Sequence, residues 1–173
     1  GLPPLQVLFM RGVAGTIWCT PLLLLTGNGP KLGGMVDRWV LLRNGFELMA
    51  VLCFIIALAN MPIADITALG QVAPMLLLIG VAIVYGDKIG AVRMVLIAVG
   101  FVGALLVAQP GGASFSIFAL LGFGSALATA ARDIIGRKVP GHIPSLVVAF
   151  CTLVIVMIGA GIATLTFEEW VMP

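Results

Sequence analysis

Apolar residues form six long runs in this chain, separated by polar connections. The runs cover residues 5–25, 44–60, 63–85, 91–109, 115–131 and 145–166. A helix needs about 20 apolar residues, with a range of about 17–25, to cross a hydrocarbon core about 30 Å thick. Each run falls within that range. The pattern therefore predicts an all-α membrane protein, a polytopic helical bundle with six transmembrane helices.

The third run departs from a plain apolar helix in its first half. Pro62 opens it, Asp65 and Thr67 follow in the first turn, and Pro74 lies inside the apolar part. Asp65 is expected to cap the helix, because a carboxylate is favoured at the positive end of the helix dipole. Pro74 lacks a backbone N–H and clashes with the carbonyl four residues earlier, so the sequence predicts a broken helix here.

The composition excludes a water-soluble domain. Hydrophobic residues make up 61% of the 173 residues and charged residues 9%, whereas soluble domains carry about 25% charged residues. The net charge of +2 is too small to indicate nucleic-acid binding. The residues provide no catalytic nucleophile, metal cluster or nucleotide loop in a recognisable pattern, so neither an enzyme nor a cofactor is expected.

The basic residues set the expected orientation. Eight of the nine fall in or beside the connections 26–43, 86–91 and 132–144. The positive-inside rule makes that side cytoplasmic. Six spans then place both ends of the chain outside, and the acidic tail with Glu168 and Glu169 agrees with this. Because the chain starts outside with no leader, we expect one further span upstream, in a longer protein.

Arg11 is the basic residue away from the cytoplasmic side. It lies roughly 9 Å into the first span at about 1.5 Å per residue. An arginine inside the membrane costs about 2.5–3.5 kcal/mol, so Arg11 is expected to face protein or a water-filled cavity. Gly15 and Trp18 share its helix face. The alternative is that Arg11 extends to the outer headgroups.

Gln71 lies roughly 12 Å into the third span, close to the level of Arg11. Backbone groups freed by Pro74 are tolerated at this depth only where protein or cavity water satisfies them. Gln71 and Pro74 are therefore candidates for lining a polar cavity. A hydrogen bond from Gln71 to another helix is the alternative.

Two other features concern contacts between helices. Arg43 and Glu47 lie four residues apart and are expected to form a surface ion pair near the cytoplasmic end of the second span, with a gating role as the alternative. Small residues in the fourth and fifth spans predict close helix packing. They are Gly100, Gly103, Gly122, Ala126 and Ala130.

The first and sixth spans begin alike, with PLQVLF from Pro4 and PSLVVAF from Pro144. Both run apolar and become richer in Gly, Ala and Thr toward the middle. They are five helices apart, so they are expected to cross the membrane in opposite senses. A repeat of this kind is the inverted arrangement found in secondary transporters.

Several segments together resemble the EamA repeat of the drug/metabolite transporter superfamily. They are PIADITALGQVAP at 62–74, YGDKIG at 85–90, GFVG at 100–103 and AQPG at 108–111. That repeat typically has a Pro-Leu-Ala opening, a mid-helix proline, a Gly-Glu turn and a last helix with glycines. Arg11 matches the arginine that such repeats place in their second helix. Asp87 departs from the pattern, since the family usually has glutamate there.

The resemblance implies ten helices in two inverted halves (5+5), with both termini cytoplasmic. Residues 1–112 then look like helices two to five of the first repeat, and 113–173 like helices six and seven. The implied function is a secondary transporter that moves a small polar metabolite, such as an amino acid or related compound, across a bacterial inner membrane by alternating access. The alternative is a non-transporting helical module.

The expected substrate-binding residues follow from this reading. Arg11 would be an anion anchor or outer gate, Trp18 an apolar wall, and Gln71 a hydrogen-bonding cavity residue, while Pro74 would supply the broken-helix geometry. The expected partners are a small-molecule substrate and the lipid bilayer. A homodimer is left open, and no nucleic acid is expected.

Overall fold

The computed structural model describes residues 3–86, 90–108 and 117–167, and it contains no β-strand in these ranges. The α-helices are α1 Pro4–Leu25, α2 Arg38–Asn60, α3 Ile63–Gly70, α4 Val72–Tyr85, α5 Ala91–Ala108, α6 Ile117–Gly136 and α7 Ser145–Phe167. A 3₁₀ segment, Gly29–Val36, joins α1 to α2. The Asp87–Lys88 turn, the loop 110–114 and the acidic tail lie outside the described residues.

Five helical segments in the described ranges are long and apolar enough to cross a membrane. They are Pro4–Leu25, Arg38–Asn60, Ile63–Tyr85, Ile117–Gly136 and Ser145–Thr166. The apolar stretch of α5 is shorter, at Met94–Gly103. The expected polytopic helical membrane protein is therefore confirmed, and a sixth crossing by α5 stays a prediction.

Two helices extend beyond their apolar runs. α2 begins at Arg38, before the predicted start at residue 44, and α6 continues past residue 131 to Gly136. Asp37 caps α2, because its Oδ1 accepts a hydrogen bond from the backbone N–H of Trp39 at 2.8 Å. An apolar run marks only the part of a helix that lies in lipid, and the helix continues where charged side chains reach water.

The end of α1 is fixed by a glycine-dependent motif. Gly27 has a φ of +68°, a left-handed conformation that glycine adopts without a Cβ penalty. The backbone N–H of Gly27 donates to Leu24 O at 3.1 Å, and that of Asn28 donates to Leu23 O at 3.2 Å. This pair of bonds is the Schellman arrangement, which satisfies carbonyls at a helix end.

The third predicted span is broken at Gln71. α3 ends at Gly70 and α4 begins at Val72, with Gln71 between them at φ −67° and ψ −14°. The Gln71 N–H lies 3.3 Å from the carbonyl of Thr67. Pro74 has no N–H to offer the carbonyl of Gly70, so the α-helical ladder is interrupted. The break expected from Pro74 is present.

The chain divides into two compact units, which we describe separately. The terminal unit consists of Gly1–Leu48 with Ile135–Pro173, and the central unit is Met49–Ile134. α2 contributes its first half to the terminal unit and its second half to the central unit. These units are spatial groupings and do not follow the predicted repeat boundary between residues 112 and 113.

In the terminal unit, α1 and α7 pack antiparallel along glycine contacts. A methyl group on Gly12 would lie 2.9 Å from Met157 Cβ, one on Gly15 would lie 2.9 Å from Leu153 Cδ2, and Gly161 faces Phe9. Residue numbers rise along α1 as they fall along α7. The prediction that these two helices run in opposite senses is confirmed.

The core of the terminal unit lies where the 3₁₀ segment, α2 and α7 meet the end of α1. Its buried members are Leu23, Val40, Ile143, Val147, Val148 and Cys151. These apolar side chains fix the first half of α2 against the first half of α7. That contact matters because polar residues lie directly beside it.

In the central unit, α6 runs parallel to α3 and α4. A methyl group on Gly122 would lie 2.8 Å from Leu69 Cδ1, and Gly80 similarly faces Ile134 near the ends of α4 and α6. Residue numbers therefore rise together on the paired helices. The third and fifth predicted spans therefore run in the same direction, as expected for two spans that are separated by one span of opposite direction.

The small residues of α6 form the packing face that the sequence predicts. Gly122, Ala126 and Ala130 are buried, and the hydroxyl of Ser125 donates to Ala50 O on α2 at 2.8 Å. Close approach of this kind is how membrane helices gain van der Waals contact. The predicted packing role of α6 is confirmed.

Candidate functional site

A cavity of about 520 Å³ opens beside the break between α3 and α4 in the central unit. It is lined by Thr67, Ala68, Gln71, Pro74, Met75, Gly100 and Gly103. Sites for small molecules commonly enclose about 300–1,000 Å³. Two predicted site residues, Gln71 and Pro74, therefore contribute to the wall of one cavity.

Sequence spacing explains how this wall forms. Thr67 and Gln71 are four residues apart, and Pro74 follows three residues later, so all three project from the same side of the broken helix. Glycines on α5 complete the wall. A methyl group on Gly100 would lie 2.5 Å from Met75 Cε, whereas one on Gly103 would meet nothing within 4 Å. Gly100 is thus a packing residue as predicted, but Gly103 borders open space.

The cavity wall carries both donors and acceptors. The Gln71 side chain is exposed and makes no hydrogen bond to the described residues, so its amide offers a carbonyl oxygen and two N–H groups. The hydroxyl of Thr67 donates to Ala64 O at 2.8 Å, and its lone pairs remain available to accept. The carbonyl of Gly70 has lost its usual α-helical donor to Pro74.

A second, wholly apolar cavity of about 580 Å³ adjoins the same helices. It is lined by Val72, Met75, Leu76, Ile79, Met94, Ile97, Ala98, Phe101 and Phe123. Met75 belongs to both cavities. Its flexible thioether side chain therefore contacts both the cavity beside Gln71 and the wholly apolar one.

The other two predicted site residues lie on α1, in the terminal unit. Arg11 is exposed and has no hydrogen bond or ion pair among the described residues. Trp18 is 84% exposed, while Gly15 between them packs on Leu153. The structure thus brings Gln71 and Pro74 together and places Arg11 and Trp18 on an exposed face of α1. A cavity role for these two residues stays a prediction.

The sequence reasoning missed a polar cluster in the terminal unit. Arg43 Nη1 donates to Asn44 Oδ1 at 2.7 Å and to Thr152 Oγ1 at 3.1 Å. These contacts tie Arg43 to α7, and the expected ion pair with Glu47 stays a prediction. The available signal was Asn44, a polar amide at the start of an apolar run.

Comparison with known families decides the identity. The profile of the EamA-like transporter family matches residues 1–109. This chain belongs to the EamA-like transporter family. Membership confirms the predicted family and the expectation that the chain is not an enzyme. It also agrees with the multi-pass membrane fold.

Curated bacterial relatives of this EamA-family chain are transporters. It is 25% identical over 173 residues to the pseudopaline exporter CntI of Pseudomonas aeruginosa, covering 99% of this chain and 60% of that protein. It is 27% identical over 175 residues to a riboflavin transporter of Vibrio cholerae, covering 100% of this chain and 58% of that protein. No solved structure matches the chain significantly. The chain thus spans about 60% of the length of these relatives.

Proposed function

We propose that the EamA-family protein to which this chain belongs is a secondary transporter that moves a small polar metabolite across the cytoplasmic membrane by alternating access. The observation that carries this proposal is the cavity at the break between α3 and α4, whose wall includes the polar side chains of Thr67 and Gln71. Broken helices with unpaired backbone groups occur at membrane depth where they line a cavity. The transporter relatives support the same reading.

In this proposal, Gln71 recognises the substrate by hydrogen bonding, and Pro74 maintains the helix break beside Gln71. The substrate would be small, since the cavity beside Gln71 has a volume of about 520 Å³. Arg11 and Trp18 remain candidates for an anion anchor and an apolar wall contributed by α1. Self-association into a homodimer also stays a prediction.

The proposed architecture is the ten-helix fold with two inverted halves of five helices. Residues 1–112 would supply helices two to five and residues 113–173 helices six and seven. The antiparallel pairing of α1 with α7 supports inverted halves, since these helices would occupy equivalent positions. The family match, which ends at residue 109, and the greater length of the relatives are consistent with this division.

The proposal is tested by transport into proteoliposomes with the full-length protein. The panel contains amino acids, small metabolites and riboflavin, the last because a relative is named for it. Gln71→Leu removes both polar groups of the amide, and we expect it to weaken transport by about two- to tenfold, the range for one lost hydrogen bond.

The control for Gln71→Leu is Asn60→Leu. The Asn60 amide donates to Ile56 O on its own helix at 2.9 Å, so its loss should leave transport unchanged. Equal transport by Gln71→Leu and wild type would overturn the assigned role of Gln71. Absence of transport for the whole panel would favour a non-transporting helical module.

A further inference from the structure

Arg38, Trp39 and Lys138 form a cluster, the Trp39 cluster, where α2 begins in the terminal unit. Arg38 Cζ lies 5.1 Å from the centre of the Trp39 ring, and Lys138 Nζ lies 5.1 Å from the centre of the same side chain's ring. Both distances fall within the roughly 6 Å over which a cation is attracted to the face of an indole. One indole therefore holds two like charges close together.

The backbone beneath the Trp39 cluster is fixed by the core of the terminal unit. Val40, which follows Trp39, belongs to the buried core, and Val139, which follows Lys138, packs against that core. The backbone N–H of Lys138 also donates to Ile135 O at 2.8 Å. The cluster therefore projects from two segments that the core holds together.

The positive charge of the Trp39 cluster has no ion-pair partner. Arg38 and Lys138 are exposed, and neither forms a salt bridge to a residue that the structure describes. The neighbouring carboxylate of Asp37 is engaged in capping α2. Two cations, together with the positive end of the α2 dipole, outweigh this one carboxylate. The surface at the start of α2 therefore attracts an anion.

The Trp39 cluster lies at the level expected for lipid headgroups. The apolar run of α2 begins at residue 44, so Trp39 lies roughly 7.5 Å outside that run at about 1.5 Å per residue. The headgroup region adds about 5–8 Å on each side of the hydrocarbon core. Tryptophan is enriched at this level of a membrane, because its ring is apolar and its N–H is polar.

An exposed apolar surface continues from the Trp39 cluster into the span. Leu41 and Leu42 follow Arg38 by three and four residues, so they share its helix face. Both leucines are exposed, and Leu42 is also three residues after Trp39. Cations above exposed leucines fit the two parts of a phospholipid, since its phosphate is negative and its acyl chains are apolar.

We infer that the Trp39 cluster binds the headgroup of an anionic phospholipid, whose acyl chains contact Leu41 and Leu42. Arg38 and Lys138 bind the phosphate, as basic residues beside a membrane span do with anionic lipids. A zwitterionic lipid also carries a phosphate, but its ammonium group is repelled by the two cations. The predicted orientation places this end of α2 at the cytoplasmic leaflet, which contains anionic lipids. The inference rests on the membrane fold and not on the transport proposal.

The test measures which lipid lies next to Trp39. The full-length protein is reconstituted in phosphatidylcholine vesicles that contain, at equal mole fraction, either phosphatidylglycerol or phosphatidylcholine brominated on its acyl chains. Bromine quenches indole fluorescence at short range, and subtracting the emission of Trp39→Phe isolates the signal of Trp39. We expect brominated phosphatidylglycerol to quench Trp39 more strongly than brominated phosphatidylcholine. Added salt should weaken this preference, because exposed charges are screened.

Two variants test the named cations and keep Trp39 as the reporter. Arg38→Gln and Lys138→Gln should each lower the preference for phosphatidylglycerol about fivefold, the contribution of one basic residue near a membrane surface. Both residues are exposed, so the variants should fold. Arg38→Lys and Lys138→Arg keep the charges and should keep the preference.

The matched control is Lys31→Gln. Lys31 is exposed on the 3₁₀ segment Gly29–Val36 of the same unit and is not one of the two cations at Trp39, so quenching should stay unchanged. Equal losses in Lys31→Gln, Arg38→Gln and Lys138→Gln would mean a diffuse basic surface and would overturn the inference.

Two results with the wild-type protein would also overturn the inference. Equal quenching by the two brominated lipids would show that the Trp39 cluster does not select an anionic headgroup. Quenching by neither lipid would show that another segment of the full-length protein covers the cluster.

Discussion

A methyl group built on Gly12 would lie 2.9 Å from Cβ and 3.0 Å from Cα of Met157. α1 and α7 therefore approach each other at backbone distance, and only a glycine fits on α1 at this point. The contact lies in an antiparallel seam that continues through Gly15 against Leu153. In a membrane, where lipid is as apolar as leucine, such close contact is the main source of helix association.

Gly12→Ala should destabilise the terminal unit. The new methyl group meets backbone atoms, which cannot move aside without separating α1 from α7, so we expect a loss of about 1–3 kcal/mol. The measurement is thermal unfolding of the full-length protein in detergent. Gly45→Ala is the control, because a methyl group there meets nothing within 4 Å and alanine favours a helix. If both variants melt at the same temperature, the seam is not close-packed at Gly12.

Pro74→Ala should restore a backbone N–H to the broken span. The new donor can bond to the carbonyl of Gly70, so α3 and α4 should become one continuous helix. We expect higher thermal stability together with reduced transport, because the cavity wall changes shape. Pro21→Ala serves as the control, since Pro21 lies inside the unbroken α1. Unchanged transport in Pro74→Ala would show that the break does not serve transport.

Gly103→Leu should block the cavity without disturbing the fold. A side chain at this position enters open space, and leucine is a better helix former than glycine by up to about 1 kcal/mol. Transport should fall about tenfold or more, because substrate placement is sensitive to shifts of about 1 Å. Gly124→Leu, also free of contacts within 4 Å, should transport normally. Normal transport by Gly103→Leu would show that the cavity is not part of the substrate path.

The orientation of the spans is open to cysteine labelling in intact cells. In a background without Cys19, Cys53 and Cys151, Gly33→Cys is predicted to lie inside and Asn60→Cys outside. An impermeant maleimide should therefore label Asn60→Cys in intact cells and Gly33→Cys only after permeabilisation. The opposite pattern would contradict the orientation derived from the basic residues.

Part of the candidate site was predictable because its cause is local. Pro74 breaks the helix through its missing N–H, and Gln71 lies one turn away, so both residues could be named from the sequence. Gly103 was predicted to pack against another helix. The sequence does not show whether a side chain or open space lies beside a glycine, so this prediction could not be refined. The predicted pair of Arg43 with Glu47 rests on spacing along one helix, which is visible in a sequence. The contact of Arg43 with Thr152 is not visible there, because Thr152 is distant in the chain.

The sequence by itself determined the helical membrane fold and the position of most spans, and it predicts their orientation. The physical reason is that lipid leaves backbone groups no partner outside the helix, so long apolar runs must become helices. Only the tertiary structure decided which helix faces pack against each other. The pairing of Gly12 with Met157, the open space at Gly103 and the inward bonds of Arg43 depend on packing between distant segments. Such packing depends on the shapes of both helices together, so it cannot be read from either sequence segment alone.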